Sequence, residues 1–193
     1  CSVRNRDIPE RDSLSRQFGH YLELTSQTPL PIENHYKTPE TLGKDRIAAV
    51  VGGRALYPKR NLLIIDAGTA ITFDFLDKKG RYLGGNISPG MTMRYNALHQ
   101  DTQGLPLVEA AENNQLLGQN TEEAIRLGVQ NGIIFEMNHY IENLELRYEG
   151  LTVLLTGGDS NFFDNKLKYP IFVESNLVLI GLNEILKYNI YAK

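Results

Sequence analysis

Three short segments of this 193-residue chain set acids, hydroxyls and glycines at spacings that suit phosphate chemistry. Asp66-Ala67-Gly68-Thr69-Ala70 directly follows the apolar run Leu62-Leu63-Ile64-Ile65. That puts Asp66 at the carboxyl end of a strand, where α/β sheets usually bind their ligands. Gly68 lets the backbone turn tightly and approach a phosphate, while the Thr69 hydroxyl and neighbouring amides can donate to its oxygens. The same residues also suit a hairpin turn capped by an aspartate, and spacing alone leaves both readings open. Thr156-Gly157-Gly158-Asp159 repeats the pattern after a second apolar run, its two glycines leaving room for a nucleotide close to the chain. Leu42-Gly43-Lys44-Asp45-Arg46 sets an adjacent acid and arginine inside an apolar helical pattern. A carboxylate there can take the proton of a substrate hydroxyl while the arginine holds an acid or organises a second subunit. A surface ion pair is the alternative. No Gly-Lys-Ser/Thr follows either glycine turn and no Gly-x-Gly-x-x-Gly occurs in a dinucleotide-binding context, which disfavours phosphate-loop NTPases and Rossmann enzymes.

The elements that must position these residues are legible in the pattern. Asp12 to Leu24 reads as a helix capped by Asp12 or Ser13, followed by a proline-containing loop from Gln27 to Ile32. Thr38 and Pro39 predict the cap and first position of a helix that runs through Ile47 and Val51 until Gly52-Gly53 weaken it. Leu62 to Ile65 is a buried strand and Ala70 to Leu76 a second, joined through the turn Asp77-Lys78-Lys79-Gly80 to a third, Arg81 to Ile87. The pairs Gly84-Gly85 and Pro89-Gly90 read as turn-shaping residues that build a cleft. Thr121, with Glu122 and Glu123, caps a long helix whose stripe of Ile125, Val129, Ile133, Met137, Tyr140, Ile141 and Leu144 carries it to Arg147. Met137 and Tyr140 then belong to core or interface. Leu151 to Leu155 is a buried strand, Ile171 to Glu174 an edge strand after a short helix, and Leu177 to Leu186 a closing helix. Strands alternating with helices after an initial hairpin make an α/β sandwich.

Composition narrows the function. Hydrophobic residues make up 41% and charged residues 22%, with a formal net charge of -3. A nucleic-acid partner would lack the electrostatic attraction that dominates such binding. Cys1 is the single cysteine and stands in no zinc pattern, so the chain suits a reducing compartment, with Cys1 a buried apolar residue. No apolar stretch is long enough to span a membrane, and the expectation is a cytoplasmic protein without a membrane or nucleic-acid partner. His20, His35, His99 and His139 are scattered and fit no site.

Taken together and in order, Tyr36, Thr38-Pro39-Glu40-Thr41-Leu42-Gly43-Lys44-Asp45-Arg46, Asp66-Ala67-Gly68-Thr69-Ala70, Gly84-Gly85-Asn86-Ile87-Ser88-Pro89-Gly90, Asn120-Thr121-Glu122-Glu123-Ala124-Ile125 and Thr156-Gly157-Gly158 resemble the type III pantothenate kinase family. The resemblance covers nearly the whole chain. It implies an actin-like (ribonuclease H-like) duplicated α/β fold with mixed sheets flanked by helices, residues 1–58 being the remainder of a first half and residues 59–193 the second. It implies ATP-dependent phosphorylation of pantothenate in a homodimer, with magnesium accompanying ATP and potassium or ammonium as monovalent cation. Asp45 would be the general base, and Tyr36, Gly43, Lys44, Asp45, Arg46 and Thr121 would bind pantothenate, Thr121 from across the dimer. Gly68, Thr69, Gly157 and Gly158 would contact ATP, and Asp66 would hold the cation. The family opens with a further phosphate loop that nothing before Ile8 matches, so a strand-rich segment is expected ahead of Cys1, and ATP should bind weakly without it. Non-catalytic regulatory relatives and other actin-like small-molecule kinases are the competing functions.

Overall fold

Leu62 to Ile65 are buried on both sides, which requires a central strand. In the computed structural model, which describes residues 20–112 and 115–191, they belong to β2 (Asn61–Ala67). β2 pairs antiparallel with β3 (Ala70–Leu76) and parallel with β5 (Leu151–Thr156), where Asp66 lies opposite Thr156. β3 pairs antiparallel with β4 (Arg81–Pro89), and the short parallel strands β1 (Glu33–Asn34) and β6 (Phe172–Val173) close the two edges. The order is β1-β4-β3-β2-β5-β6, and β3 alone runs against the rest. This is the mixed sheet expected from the sequence.

Helices cover both faces. Alternate residues of β2 point opposite ways. Leu62 and Ile64 join Leu76, Tyr82 and Leu154 against α1 (Lys44–Leu56) and α5 (Leu177–Tyr191). Leu63, Ile65 and Ala67 join Ile71 and Phe73 against α2 (Met91–Gln100) and α3 (Thr121–Glu145). Met137 is fully buried there and Tyr140 stacks on Phe73 at 4.1 Å, so both belong to the core. The single turn α4 (Ser160–Phe163) follows β5.

At the amino end of β2, the buried Asn61 side chain donates through Nδ2 to the Glu149 carbonyl (3.0 Å) and accepts through Oδ1 from the Lys78 amide (2.9 Å). It ties the β3–β4 turn to the segment entering β5. The turn itself is held by the Asp77 carboxylate, which accepts from the Lys79 and Arg81 amides and pairs with the Arg81 guanidinium.

Several elements depart from their sequence-based bounds. Thr38 starts a turn instead of a helix: its carbonyl and hydroxyl accept from Thr41, and α1 begins only at Lys44. Gly52-Gly53 do not end α1. A Cβ at Gly52 would overlap the Leu177 carbonyl, and one at Gly181 the Ala48 carbonyl, so these glycines let the backbones of α1 and α5 meet. Gly84, Gly85 and Pro89 lie within a strand, where Leu83 forms a bulge and Gly84 takes φ +121°. Asn120, not Thr121, caps α3, its side chain accepting from the Glu123 amide at 2.9 Å. α3 stops at Glu145, short of Arg147, whereas α5 continues past Leu186. α2 had no counterpart in the sequence reading. The helix expected over Asp12 to Leu24 and the buried place expected for Cys1 fall largely outside the described residues. His20 to Leu24 are not helical: from Leu22 to Ile32 half-buried and exposed residues alternate, and Leu22, Leu24, Leu30 and Ile32 pack on the α1 face. Among the described residues no helix is long and apolar enough to cross a membrane.

Candidate active site

Gly43 caps α1 without a side-chain hydrogen bond, so the first amides of the helix need another acceptor. Asp45 supplies one: its Oδ1 accepts from the Arg46 amide at 2.9 Å. The carboxylate thereby folds back over Gly43, where a Cβ would stand 2.5 Å from Oδ1. The Gly-x-Asp spacing is thus a packing requirement. Asp45 remains half-exposed, its second oxygen available to a ligand.

Arg46, only 6% exposed, turns inward. Its Nε donates to Asp74 Oδ1 (3.0 Å) and its Nη2 to the same oxygen (2.6 Å) and to the Tyr82 hydroxyl (3.1 Å). Tyr82 in turn donates to Asp74 Oδ1 at 2.6 Å. The surface ion pair weighed from sequence is therefore a buried one, made with a partner 28 residues away. Burial opposes the Arg46 charge, but the Asp74 hydrogen bonds and charge outweigh it and raise its pKa above the ordinary value. Burial first, and then Asp74, push the Tyr82 hydroxyl well above the usual range. Tyr36, half-buried, stacks on Tyr82 at 6.1 Å and lies under the Arg46 guanidinium at 5.6 Å. Gly85 completes the packing, because a Cβ there would meet Asp74 Oδ1 at 2.6 Å and Arg46 Nη2 at 2.8 Å.

Asp66 shares this face of the sheet. Burial raises its pKa, and the charges of Asp45 and Asp74 raise it further, so both of those carboxylates lie within electrostatic reach of Asp66. Among the described residues no donor reaches the Asp66 carboxylate. The two glycine turns pack together beside it. Asp159 donates its amide to the Ala67 carbonyl (2.9 Å), and Gly157, at φ +94°, passes so close to Asp66 that a Cβ would overlap its carboxylate. Gly68 donates to the Ala70 carbonyl, and Gly90 presses on the backbone of Gly68 and Thr69. Thr69 and Gly158 are exposed, and nothing stands within 4 Å of a Cβ built at Gly158.

The sequence-predicted residues Tyr36, Gly43, Lys44, Asp45, Arg46, Asp66, Gly68, Thr69, Gly157 and Gly158 thus fall on α1, the segment before it, and the carboxyl ends of β2 and β5. Lys44 Nζ is buried and has no hydrogen-bond partner. Thr121 stands apart, exposed at the start of α3 on the opposite face. The four histidines are all exposed. Sequence reasoning missed Asp74 and Tyr82. The available signal was Phe73-Asp74-Phe75, the one charged residue inside a strand otherwise uncharged. A cavity of about 620 Å³ opens on the α3 face, between β4 and residues such as Glu136, His139 and Arg147; Gly84 and Gly85 line it, but none of the predicted catalytic or binding residues does.

These observations define an α/β protein with a mixed sheet, whose acids and glycine turns gather at the carboxyl ends of its strands. The chain belongs to the type III pantothenate kinase family, whose family model matches residues 1–143. It is 52% identical over 179 residues to a type III pantothenate kinase of Phocaeicola vulgatus, covering 93% of this chain and 74% of that one. It is 54% identical over 168 residues to one of Bacteroides fragilis, covering 87% and 69%. Among solved structures it resembles a Campylobacter jejuni protein described as belonging to the Baf family of transcriptional activators, at TM-score 0.59 and 26% identity, over 82% of this chain and 68% of that one.

Proposed function

We propose that the protein catalyses ATP-dependent phosphorylation of (R)-pantothenate to 4'-phosphopantothenate, the first step of coenzyme A biosynthesis. One observation carries this reading beyond family membership: Asp45 at the start of α1 sits within electrostatic reach of Asp66 at the end of β2, beside two glycine turns packed against each other. Phosphoryl transfer needs positioning, charge neutralisation and a carboxylate near the attacking oxygen, and little else from the protein. Asp45 takes the proton of the pantothenate hydroxyl as that oxygen attacks the γ-phosphorus and ADP departs. Tyr36 and the segment Gly43 to Arg46 hold pantothenate, and the unpartnered Lys44 ammonium, beside the positive end of α1, suits an anionic group there. Gly68, Thr69, Gly157 and Gly158 flank ATP.

Magnesium enters with the nucleotide, since it is commonly held by one or two carboxylates plus substrate phosphates. Among the described residues no group of three His, Cys, Asp or Glu side chains could hold a metal by itself, so magnesium here would need substrate oxygens beside the Asp66 carboxylate, which no hydrogen-bond donor among those residues reaches. That free carboxylate is also where we place potassium or ammonium. The same reading makes the protein a cytoplasmic homodimer in which Thr121 reaches the neighbouring site. The likeness to a Baf family protein favours one alternative, a regulatory relative without catalysis. Pantothenate-dependent ADP release by the complete gene product decides between them, and its absence at saturating ATP, magnesium and potassium would leave the regulatory reading. Equal rates in sodium and potassium would remove the monovalent cation from Asp66, and a fully active monomer in sedimentation would remove Thr121 from the site.

A further inference from the structure

We infer that Asp74 and Tyr82 are positioning residues that hold the Arg46 guanidinium in one fixed pose at the pantothenate site, an inference that rests on the reading of Gly43 to Arg46 as that site. Arg46 carries five N–H donors in a rigid fork. Asp74 and Tyr82 engage the Nε and Nη2 donors, and Tyr36, read as a pantothenate contact, lies against the same guanidinium at 5.6 Å.

Three features argue that this arrangement serves orientation. First, a buried ion pair is poor value for stability, because desolvation offsets most of its attraction and apolar residues of the same volume often do as well. Second, the contacts are redundant around one atom: Asp74 Oδ1 receives Arg46 Nε, Arg46 Nη2 and the Tyr82 hydroxyl, so rotation of the guanidinium breaks several bonds at once. Third, the surroundings exclude alternatives. Gly85 leaves no Cβ where the pair sits, and Tyr36 closes the open side of the guanidinium at 5.6 Å. Arg46 adjoins Asp45 in the chain, so its pose also bears on the helix turn that aims that carboxylate.

The test is a double-mutant cycle in the complete protein, with Michaelis constants measured separately for pantothenate and ATP. Tyr82→Phe, which removes one hydroxyl, should raise KM for pantothenate about fivefold, and Asp74→Asn about tenfold or more, the effect of losing hydrogen bonds to a charged group. KM for ATP should stay within about twofold. In an Arg46→Lys background Tyr82→Phe should add nothing further, because it acts through a guanidinium no longer present. If Arg46→Lys raises KM for pantothenate but Tyr82→Phe does not, or adds its full effect on top of Arg46→Lys, the positioning role is overturned while the site stands. If Arg46→Lys itself leaves that KM unchanged, the site assignment fails instead. A purely structural role would lower the melting temperature of Tyr82→Phe and change both Michaelis constants alike.

Discussion

The two faces of the sheet are covered by different means. On the α1 face, two helix backbones meet through Gly52 and Gly181, and the same layer buries Arg46, Asp74 and the Tyr82 hydroxyl. On the α3 face, long aliphatic and aromatic side chains such as Ile133, Met137 and Phe73 fill the gap, and a large cavity remains at one end. Side-chain packing tolerates rearrangement at constant volume, whereas backbone contact has no adjustable part. The difference teaches why Asp45 and Arg46 begin the helix that is pinned by glycine. A constellation that must hold its geometry to within about half an ångström belongs on the element with the least freedom to shift.

The largest test of that asymmetry is catalytic. Asp45→Asn should lower turnover about 10²-fold or more in a coupled ADP-release assay, with folding little changed. A loss below tenfold would move the general base away from the α1 face. Next comes Gly181→Ala, whose methyl group must displace the Ala48 carbonyl. Overpacking of this kind should cost about 2–3 kcal/mol in urea unfolding and should reduce activity as well, since α1 is pushed off its seat. Stability loss without loss of activity would show that α1 need not be pinned.

Asp66→Asn separates function from stability. Burial and the neighbouring acids raise the Asp66 pKa in the fold, so its ionised form at neutral pH opposes folding. The sign follows: the folded state binds this proton more tightly than the unfolded chain, and the resulting stability is present at low pH and lost as pH rises through the raised value. Asp66→Asn should therefore melt higher than the wild type at pH 7 while losing activity, and the gap should close as pH falls to the ordinary carboxylate range. A lower melting temperature at pH 7 would contradict the electrostatic account. The smallest effect belongs to the other face. Gly128 lies exposed within α3 with nothing within 4 Å of a Cβ, and Gly128→Ala should stabilise by about 0.5–1 kcal/mol without touching turnover. Two helical glycines would then respond with opposite signs.

What the sequence made legible was governed by local pattern. The apolar run at Leu62, the turn at Gly80 and the stripe from Ile125 to Leu144 each state their element from one contiguous segment. The acids and glycines at Asp45, Asp66 and Gly157 could be picked out because their turns are local too. Contacts between distant segments were not readable. Gly52 looks like a weak helix position until Leu177 is known to cross it. Arg46 looks like a surface cation until Asp74 is found beside it. α2 escaped because it buries only Met91 and Tyr95, four residues apart, and so shows no sustained stripe.

Asn61 fastens two distant chain segments to one end of the sheet. By bonding at once to the Glu149 carbonyl and the Lys78 amide, it laces together the end of the sheet farthest from Asp66. At the opposite end the turns after β2 and β5 are joined to each other by the Asp159 amide, which donates to the Ala67 carbonyl. In a hydrogen-exchange experiment the Lys78 amide, although in a turn, should trade its proton as slowly as a strand interior, while Thr69 and Gly158 exchange early.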